Sequence, residues 1–253
     1  VRREPFGSRT AGGAEDSPVA ARRAPESIDF SKWGPVEAKP LTPLRQKIAE
    51  KMTESWTTIP HVTQFDEADI TALMALRKKY APAYEKKGAT LTLTSFILKA
   101  VVTALKKFPT VNSSLDEALQ KLVEKKYYHI GVAVDTEQGL IVPVLRDVDK
   151  KTLLQVSKEL GELAEKTRQR KVSLDELKGG TFTVSNLGGI GGSHFTPIVN
   201  KPEVAILGVG RGAGKLPLSL SYDHRVIDGA VGARFIRAVA EALENFKEDE
   251  VKI

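Results

Sequence analysis

The sequence predicts an α+β or mixed α/β fold, a largely mixed or antiparallel sheet flanked by helices. Three observations carry that expectation. "LTSFILKAVVTALKKFP" reads as a strongly apolar helix ended by Pro109. "LSLSYD" alternates apolar and polar residues as a half-buried strand does. Strands and helices are interspersed with neither a strict βαβ alternation nor an internal repeat.

Residues 1–39 are rich in Ala, Pro, Gly, Ser, Arg and Glu and carry no usable periodicity. They read as a flexible linker that tethers the remainder, 40–253, to something upstream. Thr42 is placed to cap a helix with Pro43 in its first turn. Leu44, Ile48, Met52 and Trp56 fall four apart on one face, which is expected to enter the core. "HVTQFDEADI" reads as a strand running into the helix "DITALMALRKKYAPAYEKKG", closed by Gly88. The first third of "LDEALQKLVEKKYYHIGVAVDTEQGLIVPVLRDV" looks helical on propensity. Tyr127 to Val134 and Leu140 to Leu145 look like strands joined by the turn "DTEQG".

"TLLQVSKELGELAEKTRQRKV" is an amphipathic helix. Ser173 and Glu176 form a capping box for a short helix that Gly179 and Gly180 stop. "TFTVSNL", "EVAILGVG" and "PLSLSY" then read as strands, and a last helix runs from about Gly229 to Phe246.

Bulk properties remove several function classes. No apolar run is long enough to span a membrane. A net charge of +6 is spread over short runs that read as solvated helix faces, so no nucleic-acid partner is expected. With no cysteine there is no disulfide, thiolate metal site or cysteine nucleophile, which fits a cytosolic-type protein. A chain opening on Val1 without a leader pattern is expected to be a fragment.

The glycines are decoys. "GVGRGAGK" has Val209 where a phosphate loop needs glycine, and Leu216 where Ser or Thr would hold magnesium. "NLGGIGGSHF" lacks the third glycine of a dinucleotide fingerprint at its offset, and Phe195 and Pro197 interrupt the helix that should follow. No Gly-x-Ser-x-Gly elbow exists. The four histidines are too scattered for a metalloprotease pair, so no metal site is expected.

His61 and His129 sit within apparent strands, where structural hydrogen bonding is the expected role. His194 lies in a glycine-rich loop open to a ligand. His224 ends a strand among Asp223, Arg225 and Asp228, where the backbone can fix its ring. An imidazole can take and return a proton near neutral pH. Without an evident protein nucleophile, the group it activates is expected to be a substrate thiol attacking a thioester. The tetrahedral oxyanion then needs a fixed donor. Ser185, at a strand end beside a roomy loop, suits that role, and a turn or cap role for it stays open. Asp228 fits orienting the histidine, capping the last helix, or a structural ion pair, and a structural role is favoured over a catalytic one.

"SLSYDHRVIDGA" resembles the His-Arg-x-x-Asp-Gly signature of the dihydrolipoyl acyltransferases of 2-oxo acid dehydrogenase complexes. "IPHVTQFDEADIT", "YYHIGVAVDTEQGLIVPVLRDV" and "GGTFTVSNLGGIGGSHFTPIVNKPEVAILGVG" reinforce it over roughly residues 40–246. The first of these looks most like the pyruvate dehydrogenase acetyltransferases. The resemblance implies a chloramphenicol acetyltransferase-like fold and a homotrimer, with the possibility of a larger cage. Its active sites would lie between subunits, His224 from one and Ser185 from another. Coenzyme A would enter as a substrate from one end of a channel. A dihydrolipoyl arm, carried on a lipoyl domain absent from this chain, would enter from the other. Phe195, Thr196 and Pro197 would line that channel. His224 matches the base, Ser185 the oxyanion donor and Asp228 the signature aspartate, with Arg45 as a cationic partner for Asp228. The other components of the complex are implied partners. A bacterial cytoplasm or a mitochondrial matrix is the implied location.

The family also implies strand through much of 114–127, against propensity. Two departures stand out. The connection "RGAGK" is shorter than the family's hairpin. The tail "ENFKEDEVKI" is charged where the family's tail is apolar and docks on a neighbouring trimer. Trimers are therefore expected over closed shells. A non-catalytic core scaffold and an antibiotic acetyltransferase are the competing readings.

Overall fold

The computed structural model describes residues 27–253, so residues 1–26 of the expected linker lie outside the described residues. The chain divides into two units between Pro40 and Leu41. In the described part of the first, the Asp29 carboxylate caps a single 3-10 turn, Phe30–Lys32.

In the second unit the alternation in "KLPLSLSYD" builds β10 (Lys215–Asp223). Leu216, Leu218, Leu220 and Tyr222 enter the main core, while Ser219, Ser221 and Asp223 lie on the other face. β10 pairs antiparallel with β1 (His61–Asp69) on one side and β9 (Ala205–Val209) on the other. β9 continues in parallel to β8 (Phe182–Asn186) and β4 (Ile130–Val132), and β7 (Val144–Leu145) closes the edge antiparallel. This is the mixed sheet the sequence predicts.

Two helices cover the core face. α3 (Leu93–Lys107) packs on α5 (Gly229–Glu244). Phe235 of α5 meets Phe182 of β8 and Phe108 with ring centroids 5.7 and 6.0 Å apart. α2 (Thr71–Lys86) follows β1, and Gly88 after it takes φ +71°, a conformation that costs glycine nothing. α4 (Leu153–Arg168) starts with a complete capping box, Thr152 with Gln155. The Ser173–Glu176 box also forms, although only one 3-10 turn follows it.

Two expectations are corrected. Residues 114–127 are not helical: β2 (Ser113–Asp116) and β3 (Lys121–Glu124) form a separate hairpin. Asp116 accepts the Leu119 amide, Gln120 takes φ +51°, and the Asn112 amide donates to the carbonyls of Lys125 and Tyr127. These turn-forming contacts outweigh helix propensity. The second correction concerns α1 (Pro43–Thr58), whose stripe is not in the core. Leu44, Ile48 and Met52 are half-buried and Trp56 is 64% exposed. Fourfold spacing makes one face apolar, but the described residues leave it only partly covered. β5 (Val134–Thr136) and β6 (Gly139–Ile141) form the hairpin predicted at "DTEQG".

Candidate active site

The face of the sheet opposite the helices is lined by small polar side chains. Residues paired across strands share a face, so Ser185, Gly208, Ser219 and Phe65 form one row. Thr183, Ile206, Ser221 and Thr63 form the next row, with the Thr63 and Ser221 hydroxyls 2.7 Å apart. Ser185 is buried, and its hydroxyl makes no hydrogen bond among the described residues. The segment after β8 folds back over this face. The Phe195 ring lies on Gly208, so close that a Cβ there would be 2.8 Å from it. Phe195 therefore sits beside Ser185. Thr196 is exposed and Pro197 half-buried.

β10 ends in a tight turn. Asp223 is 2% exposed, and its carboxylate takes both a 3.0 Å bond from Arg225 Nε and a 2.7 Å bond from an Arg225 terminal nitrogen. A second terminal nitrogen reaches Glu117 at 3.2 Å. Between these two fixed residues stands His224. Its amide donates to the Pro60 carbonyl at 3.0 Å. Its ring lies 6.0 Å from that of Tyr222, is exposed, and has no hydrogen-bond partner among the described residues. The buried strand thus ends in charge because the ion pair fixes the turn that presents the imidazole.

Asp228 caps α5, accepting the Val231 amide at 2.8 Å, and makes no bond to His224. Arg45 is not its partner in this chain. Its guanidinium lies against Gly139 at the β5–β6 turn, 3.5 Å from where a Cβ would stand. His194 is exposed and edge-on to Phe65 at 5.5 Å. His129 accepts the Asp147 amide at Nδ1, and burial lowers its pKa, as a structural histidine's should be. No group of three or more metal-ligating side chains occurs among the described residues.

His224 and Ser185 do not meet within one chain. Ser185 shares its row with Ser219, five residues before His224 and one strand beyond β9. Strand geometry puts them roughly 17 Å apart along the strands and about 10 Å across.

Beside Asn186 at the end of β8 a cleft of about 280 Å³ opens between Arg77, Thr94, Arg211 and the glycines of the following loop. Arg211 donates to the carbonyls of Gly188, Gly189 and Ile190 and so pins that loop. Gly210 tolerates no side chain, since a Cβ would lie 1.6 Å from the Ser193 carbonyl oxygen.

Sequence reasoning missed the Asp223–Arg225 pair, although an Asp-x-Arg step closing a strand is a usable signal. It also missed Glu203. This carboxyl is 4% exposed, accepts from the Thr183 hydroxyl at 2.7 Å, and is pushed up to about 7 by burial, against the pull of Thr183, Lys125 and Asn200.

The 2-oxoacid dehydrogenases acyltransferase catalytic-domain model matches residues 34–249. The dihydrolipoyllysine-residue acetyltransferase component of the pyruvate dehydrogenase complex of Pseudomonas aeruginosa is 49% identical over 95% of the chain, and that of Azotobacter vinelandii 50% over 87%. The chain spans 45% and 36% of those two proteins' lengths, less than half of each. A crystal structure of the Azotobacter dihydrolipoamide acetyltransferase, solved to study a serine, a histidine and an asparagine in its catalytic mechanism, superimposes with a TM-score of 0.85 at 49% identity. It covers 87% of this chain and 96% of that one. The cubic core of a pyruvate dehydrogenase multienzyme complex gives the same score over the same shares. Chloramphenicol acetyltransferase, at 15% identity and a TM-score of 0.51 over 80% of this chain and 94% of its own, shares the fold.

Proposed function

The chain belongs to the 2-oxoacid dehydrogenase acyltransferase family, as its catalytic domain, and on that premise we propose that it passes an acetyl group between coenzyme A and a dihydrolipoyl group. The observation that carries this reading is the end of β10: a strand buried from Leu216 to Asp223 that delivers one exposed imidazole, anchored through its backbone and without a hydrogen-bond partner at either nitrogen among the described residues.

His224 takes the proton from the incoming thiol. The thiolate attacks the thioester carbonyl, and the Ser185 hydroxyl donates to the oxyanion that forms. Collapse expels the second thiolate, which takes the proton back from the imidazolium. No bond to the enzyme forms at any step. Because one chain holds the two groups far apart, His224 of one copy works with Ser185 of another, in a homotrimer. The spacing of the Azotobacter residues supports the assignment: its histidine and asparagine stand four positions apart, as His224 and Asp228 do. Its serine precedes the histidine by 52 positions against 39 for Ser185, which fits the shortened β9–β10 connection.

The cleft flanked by Arg77 and Arg211, one residue from Ser185, suits the phosphates of coenzyme A. Phe195 walls the channel toward the reacting carbonyl, with Thr196 and Pro197 beside it. The dihydrolipoyl group arrives on a lipoyl domain, and the partners are the other components of the complex. The bacterial relatives support action in the cytoplasm.

Thiol acylation by purified protein, with acetyl-, succinyl- and branched acyl-CoA, tests the proposal. Acetyl-CoA with dihydrolipoamide is expected to be preferred, and transfer to chloramphenicol instead would redirect it. The short Gly210–Lys215 connection favours a second reading, a core scaffold without catalysis. Parental protein with no acyl transfer would select that one.

A further inference from the structure

His61 opens β1 with both ring nitrogens engaged. Nδ1 lies 2.8 Å from the Ile59 carbonyl oxygen, which can only accept, so Nδ1 carries a hydrogen. Nε2 lies 3.0 Å from the Val199 amide, which can only donate, so Nε2 is bare. The two partners fix the neutral Nδ1–H tautomer. Trp56 stacks on the ring at 5.4 Å and 30°.

What this ring joins matters more than that it is satisfied. Pro60, the preceding residue, holds the amide of His224, and His61 itself stands opposite Asp223 in the β1–β10 ladder. Val199 is fully buried in a small cluster with Ile59 and Ile206. It closes the segment whose Phe195 ring rests on Gly208 in the row of Ser185. One side chain therefore ties the strand end that presents the base to the segment that walls the oxyanion donor.

We propose that His61 is a positioning residue for acyl transfer, its Nε2–Val199 bond holding the Phe195–Val199 segment in register with the end of β10. This rests on the assignment of His224 and Ser185 to the chemistry. A wall displaced by about 1 Å misorients the bound thioester, an error that costs on the order of 100-fold in rate.

Three variants test it: His61→Asn, His61→Gln and His61→Ala, in the assembled protein. Asparagine keeps a donor for Ile59 and loses the acceptor for Val199. Glutamine can place its carbonyl oxygen where Nε2 stood. Acetyl transfer from acetyl-CoA to dihydrolipoamide gives kcat and KM. Hydrogen exchange of the peptide spanning Phe195–Asn200 reports the Val199 bond, and a thermal melt reports stability. The expected result is that kcat follows exchange protection: on the order of 10- to 100-fold lower in His61→Asn and His61→Ala, and within about threefold of the parent in His61→Gln. A kcat that follows the melting temperature instead, or that ignores protection, overturns the proposal. His224→Ala separates the two levels. If it stays active, the underlying assignment fails. If it is dead while deprotected His61→Asn transfers at the parental rate, only the positioning role fails.

Discussion

Glu203 shows how a single residue can set a pH dependence that its sequence context hides. In "EVAILGVG" it reads only as the first residue of a strand, yet it is buried under Thr183 and Asn200. Its pKa, raised to about 7, means that folding favours the protonated form. The contribution is fully present below the unfolded carboxyl value near 4.5 and is lost as pH rises through 7. Compared with the parent, Glu203→Gln is expected to gain stability between about pH 5 and pH 8, by on the order of 3 kcal/mol at the upper end. Chemical denaturation at several pH values measures this, and parallel curves for the two proteins would contradict it. At the proposed reacting groups, Ser185→Ala is expected to lower kcat roughly 100- to 1,000-fold with KM little changed, as loss of an oxyanion donor does. His224→Ala is expected to remove transfer while leaving the melting temperature in place, because its exposed ring makes no hydrogen bond among the described residues. The role expected of His224 came from the charge that crowds a strand end, and that of Ser185 from the glycine-rich loop that follows it. His61 was legible only as a satisfied histidine, since its partner Val199 lies 138 residues away.

At the scale of elements, periodicity read α2–α5 and β8–β10 well, because each has one face on the main core. It failed where an element has no such face. The segment from Leu115 to Glu124, helical on propensity, is a hairpin standing apart from the six-stranded sheet. Leu44, Ile48, Met52 and Trp56 form a true helical stripe that the described residues leave only partly covered. Asp228, favoured in a structural role, caps α5 through the Val231 amide. Asp228→Ala is expected to cost about 1 kcal/mol, a drop of roughly 2–4 °C for a chain of this size. Asp228→Asn, which caps as well, should hold stability. Calorimetry decides, and an equal loss in both variants would contradict the capping account. The short β9–β10 connection is held by Gly210 and by the three carbonyls that Arg211 grips. Releasing them in Arg211→Ala is expected to raise KM for coenzyme A several-fold while kcat for bound substrate changes less, and kinetics with each thiol substrate varied in turn would measure it.

At the scale of the whole molecule, the charged tail folds on its own chain. Glu248 meets Lys79 and Tyr80, the Tyr84 hydroxyl donates to the Val251 carbonyl, and Val251 is buried. A tail so engaged, with Asp249 and Lys252 also paired, would give up these contacts and desolvate charge to dock on a neighbour. Sedimentation at high protein concentration is therefore expected to find trimers, and a closed shell as the dominant species would contradict this. The proposed trimer matters to the proposed chemistry because the register of the sheet keeps His224 and Ser185 apart in a single chain. Mixing tests that directly. His224→Ala and Ser185→Ala proteins, each inactive alone, are unfolded together and refolded into mixed trimers. If each site takes its histidine from one copy and its serine from another, up to about a quarter of parental acetyl transfer returns. If mixed trimers form and remain as inactive as the separate variants, the two groups do not act across subunits and the account fails.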